Sequence, residues 1–129
     1  MVVAAVSAKG SQHHERGAGD SRLADIAYVN DKLRAAVTSL ATGRGRIQER
    51  LAKACEVGLW AASPSAFSNP DAASRCAQLI EVLFHQRRPV ADVIQRMDEA
   101  EAARYAQVMV DLQAAAELQI RARLRQVQT

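Results

Sequence analysis

A chain of 129 residues with 49% apolar composition is long enough for one domain with a modest core, and aromatics at only 4% leave that core to Leu, Ile, Val and Ala. A formal net charge of +3 and a sequence pI of about 9.2 fall well short of the cation density of a dedicated nucleic-acid binder. No stretch approaches the roughly 20 apolar residues needed to span a bilayer, so no membrane partner is expected and a cytoplasmic location is the default.

Alanine-rich segments poor in β-branched residues, without alternating patterns, predict an all-α protein: a bundle of four to five helices with a long C-terminal helix. Residues 1–20 are read as a flexible tail ahead of a single helical domain over 21–129. The start, MVVAAVSAKG, lacks the positive region of a signal peptide, and AKGSQHHERGAGDS has no helical periodicity. His13 and His14 are metal-ligand types, but two adjacent histidines in such a tail make no site, and no cofactor or metal is expected.

DSRLADIAYV places Leu23, Ile26 and Ala27 where they can run into the next segment, giving a continuous or gently broken helix over about 21–41. The alternative is a true start at Asn30, a good N-cap type, with Asp31 suited to the positive helix end. Leu33, Val37 and Leu40 share one face, and Thr42 and Gly43 end the helix. After the Gly-Arg-Gly corner, Ile47, Leu51, Ala54 and Gly58 repeat the spacing, predicting a second helix over about 46–61 that is antiparallel to the first. Gln48, Glu49 and Arg50 fall on its other side.

The strings NDKLRAAV, SLATGRG and IQERL, followed by AASPSAFSNPDAASRCAQLIEVL, resemble a small family of uncharacterised bacterial helical proteins over about residues 30–118. In that family an N-(D/E)-K-L helix runs into a Gly-x-Gly turn, an R-L helix and a Pro-containing stretch. The resemblance implies an all-helical fold and no activity.

Trp60, near the end of the second helix and beside Phe67, is expected to seal the edge of the core. Ser63-Pro64 and Asn69-Pro70 read as two N-cap signals, a short turn and then a longer helix. The third helix places Ala73, Cys76, Ala77, Ile80, Leu83 and Phe84 inward, with Arg75, Gln78 and Glu81 outside, and ends at HQRRP. Cys55 and Cys76 are expected as buried, reduced thiols, because packed helix axes lie about 8–10 Å apart while a disulfide needs Cα atoms within about 7 Å. From Val90, one apolar face runs to Met97 and another includes Tyr105, Val108, Met109, Leu112, Ala116 and Ile120. Asp98 and Glu101 have capping-box spacing between them, predicting a short helix and then a long one rather than a single continuous helix.

Candidate chemistry is sparse. His85 is the only histidine beyond the tail, and Asp98, Glu99 and Glu101 read as a solvated helix start, so no catalytic residue is assigned and the protein is read as a non-enzyme. GRGR at 43–46 lacks the ending and the preceding strand of a phosphate loop. The basic residues Arg44, Arg46, Arg50 and Lys53, with Arg87 and Arg88, are the candidates for an anion or a nucleic acid, although Glu49 and Glu56 interrupt them. The preferred reading is a helical interaction module, a homo-oligomer or one bound to a protein partner. Its interface candidates are Val110 and Leu118, which lie off the main apolar face of the long helix, together with Met109 and Ile120.

Overall fold

The computed structural model describes residues 14–128, with side chains described for residues 23–126. Among the described residues five α-helices run in chain order: α1 His14–Thr42, α2 Ile47–Val57, α3 Pro70–Phe84, α4 Val90–Gln95 and α5 Glu99–Gln128. Two 3₁₀ turns, Leu59–Ala61 and Pro64–Ala66, lie between α2 and α3, and there is no strand among the described residues.

α1 is unbroken through Asn30, and its helical span begins within the stretch read as tail; the remainder of that stretch, with His13, lies outside the described residues. Asn30 is therefore not an N-cap. The buried set Ile26, Val29, Leu33, Ala36 and Leu40 keeps a 3-4-3-4 spacing straight across it. Its side-chain oxygen accepts from Gln113 Nε2 of α5 at 3.1 Å, a cross-helix donor in place of the first-turn amides that a cap would serve.

The corner follows the expected chemistry. Gly43 N donates to Ser39 O at 2.9 Å to close α1, and Gly45 sits at φ 95, a left-handed conformation that glycine adopts freely. The Arg46 amide donates to Glu49 Oε1 at 2.9 Å at the start of α2. Gln48, expected outward, is buried instead: its Nε2 donates to Met97 O at 3.1 Å and ties α2 to the α4–α5 junction.

α2 ends sooner than expected. Gly58 lies against the α1 backbone, and an added Cβ there would run into the Lys32 carbonyl oxygen and lie 3.3 Å from the Ala36 amide nitrogen. Beyond it the chain tightens into a 3₁₀ turn, whose three-residue repeat puts Leu59 and Ala62 inside on one side. Trp60, between them, is turned outward and is 56% exposed. Trp60 therefore does not seal the edge of the core; Ala66 and Phe67, in the connection that follows, are buried.

Asn69 caps α3 as predicted, its Oδ1 accepting from the amides of Asp71 and Ala72 at 2.8 and 3.2 Å. Ser63 makes no such cap; its hydroxyl pairs with that of Ser65 at 3.0 Å. The buried stripe of α3 is Ala72, Cys76, Leu79 and Leu83, so Leu79 belongs to the core and Ala77 faces solvent. α4 and α5 are separate helices, and Asp98 Oδ1 accepts from the Glu101 amide at 2.8 Å at the break.

The two longest helices, α1 and α5, lie antiparallel. Val37 and Leu40 border a groove with Ala106 and Val110, while Leu23 borders one with Ala122 and Gln126. One continuous core joins all five helices, with Ile26, Leu33, Leu51, Leu79, Ile94 and Met109 each fully buried or nearly so. No described helix is long and apolar enough to cross a membrane.

Candidate functional site

Trp60, the largest apolar side chain, is left uncovered by the fold. Lys32, on α1, holds its ammonium 5.6 Å from the Trp60 ring centroid and 5.5 Å from that of Tyr28. Tyr28 is itself 51% exposed, so two aromatic rings flank one cation at the surface. Each contact of this type contributes about 0.5–1 kcal/mol at an exposed site, enough to bias the rings without removing them from water. Beneath Trp60 a groove of about 500 Å³ runs between α2 and the α3–α4 connection. Its apolar walls are Ala52, Phe84, Val90 and Ala91, with Glu49, Lys53 and Glu56 along its edge. Val57, the last residue of α2, is a further exposed apolar side chain.

Cys55 also borders this groove but is fully buried, and desolvation pushes its thiol up to about 12. Burial pushes Cys76 up to about 11. Both cysteines are free, as expected from helix spacing. Such thiols stay protonated and unreactive as nucleophiles near neutral pH.

The interface candidates of α5 divide. Met109 is fully buried in the chain's own core, because it falls on the same stripe as Ala102, Ala106, Leu112 and Ala116, and it is not available to a partner. Ile120 is partly buried against that core. Val110 and Leu118 are exposed, at 38% and 64%, and Leu124 farther along the helix joins them.

The basic candidates do not gather into one surface. Arg50 is partly buried, donates from Nη1 to Leu40 O at 3.2 Å, and lines the groove that holds Val110. Lys53 pairs with Glu56 at 3.1 Å and faces the Trp60 groove. Arg44 and Arg46 are exposed at the corner. Arg87 and Arg88 border a separate cavity beside α4 and the start of α5, joined there by Arg96, which the sequence reading left out.

His85 follows the last turn of α3, with its Nδ1 3.1 Å from Glu81 Oε1 on the surface. Among the described residues no group of three or more His, Cys, Asp or Glu side chains is placed to hold a metal ion. Tyr28 and Trp60 were missed as surface residues. The signal that could have found Trp60 was Gly58 at the end of an apolar stripe, which stops the helix one residue before Leu59.

No protein-family model matches the chain, and neither the curated proteins nor the solved structures include a match to it.

Proposed function

We propose that the protein is a non-enzymatic helical interaction module that associates with copies of itself, and that the Tyr28–Trp60 face is its principal contact. The observation that carries this reading is the half-exposed Trp60, paired with Tyr28 around Lys32 at the mouth of an apolar groove. Trp and Tyr are the residue types that dominate interface energetics when a partner covers them. Lys32 lies over Trp60 and Glu49 lines the groove below it, so two copies related by a two-fold axis can bring these opposite charges together. Val110, Leu118 and Leu124 give α5 further apolar surface for the same purpose.

The test is solution mass by light scattering across protein concentrations, combined with the emission of the only tryptophan. Association should raise the mass and shift Trp60 emission to the blue as concentration rises. Tyr28→Ala with Trp60→Ala should return the mass to that of a monomer while leaving helix content unchanged. If those changes leave the assembly intact and Val110→Asp with Leu118→Asp dissolves it, the contact lies on α5. A mass of 14.0 kDa at every concentration would refute self-association.

A further inference from the structure

We infer a second site: the cavity between the end of α3, α4 and the start of α5 binds a small organic phosphate. It has a volume of about 510 Å³, within the roughly 300–1,000 Å³ range of small-molecule pockets. Arg87, Arg88 and Arg96 line it against a single carboxylate, Glu101. Among the described residues, neither Arg87 nor Arg88 has an ion-pair or hydrogen-bond partner. Arg96 is held by Asp92, with Nε 3.6 Å from Oδ2.

The negative end of α3 accounts for cations beside its last turn. Arg96, at the end of the separate helix α4, brings a third guanidinium to the same cavity. Arg96 has Asp92 as its counter-ion, whereas Arg87 and Arg88 have none, and the planar guanidinium fork suits the oxygens of a phosphoryl group. A dianionic phosphoryl group can meet both unpartnered guanidiniums, those of Arg87 and Arg88, at once. The remaining lining is Gln86, whose amide donates to Glu81 O at 3.1 Å, and the apolar Val82, Val93 and Met97, which suit the carbon body of the ligand rather than free phosphate. Two features rigidify the wall: Pro89 precedes α4, and the Gln48 amide holds the Met97 carbonyl.

The experiment is calorimetric titration of the full chain with hexyl phosphate and with inorganic phosphate, alongside NMR of the arginine side-chain N–H groups. Hexyl phosphate should bind one to one and at least about tenfold more tightly than inorganic phosphate, an increment of about 1.4 kcal/mol. Arg87→Ala with Arg88→Ala should weaken it by at least about tenfold, while Arg44→Ala with Arg46→Ala leaves it within about twofold. In the unmodified chain, the side-chain signals of Arg87 and Arg88 should shift on titration, a readout that needs no variant to fold. Absence of saturable binding at millimolar hexyl phosphate, or equal weakening by the Arg44 and Arg46 changes, would overturn the site. So would binding of a single-stranded oligonucleotide that hexyl phosphate fails to displace.

Discussion

Gly58 holds α2 against α1 at a distance no side chain allows. A Cβ at this position would overlap the Lys32 carbonyl and lie 2.9 Å from the Lys32 carbonyl carbon, so the two backbones must separate to admit it. Gly58→Ala is therefore expected to destabilise the fold by about 3 kcal/mol or more, the upper range for overpacking. Gly45→Ala is expected to cost less, about 1–2 kcal/mol, for the left-handed conformation at φ 95. The atom it meets belongs to the Glu49 side chain, which can swing aside. Urea midpoints of the two variants would check the order; equal losses would mean that α1 and α2 are not packed backbone to backbone at Gly58. The same residue explains why Trp60 was misread. Helical spacing carried past Gly58 puts Trp60 at the core edge, whereas the close approach ends the helix and the 3₁₀ turn reverses which side chains point inward. Gly58 marks locally that the helix can stop, but the backbone it packs against lies on α1, far away in the chain.

Among the elements, the ends governed by local chemistry were legible and those governed by distant partners were not. Pro64, Pro70 and Pro89 marked the connections, and Asp98 marked the break before α5, because each acts on its own neighbours in the chain. Asn30 and Asn69 carry the same side chain with opposite outcomes. Asn69 serves the free amides of α3, while Asn30 lies within α1 and is satisfied from Gln113, 83 residues away. Asn69→Ala should accordingly cost about 1 kcal/mol of stability, and Ser63→Ala, which removes no cap, should change it by less than about half of that. Thermal unfolding followed by circular dichroism separates the two. An equal effect would deny Asn69 its capping role. The stripe on α3 was displaced by one position in the sequence reading, leaving out Leu79; Ala73, Ile80 and Phe84 lie partly buried beside the true seam. On an alanine-rich helix the apolar arc is wide, and only the register against α5 decides its centre.

At the scale of the whole molecule, the all-helical class was legible from composition and periodicity, because a chain this poor in aromatic and β-branched residues has few other ways to build a core. The candidate surfaces were legible only in part: Val110 and Leu118 are exposed off the apolar face as expected, Met109 on that face is buried and closed to a partner, and the aromatic pair around Lys32 joins residues of α1 to the turn after α2. The two thiols give the fold a pH dependence of its own. Below pH 9 the cysteines are protonated both in the fold and in the unfolded chain, whose ordinary value is 9.0, and their contribution is fully present. As pH rises above 9, the unfolded chain releases protons that Cys55 and Cys76 retain up to about 12 and 11, so stability falls. Each thiol can contribute a slope of at most about 1.4 kcal/mol per pH unit. Urea midpoints measured from pH 8 upward should decline, and less steeply in a Cys55→Ala, Cys76→Ala variant; parallel declines would place the effect on other groups.

The antiparallel pairing of α1 and α5 has a consequence for tethering. The start of α1 and the end of α5 emerge at one end of the bundle, and Glu101, on the wall of the arginine-lined cavity, lies about 40 Å away along the α5 axis. The described ends of the two long helices therefore both lie on the side of the bundle away from that cavity.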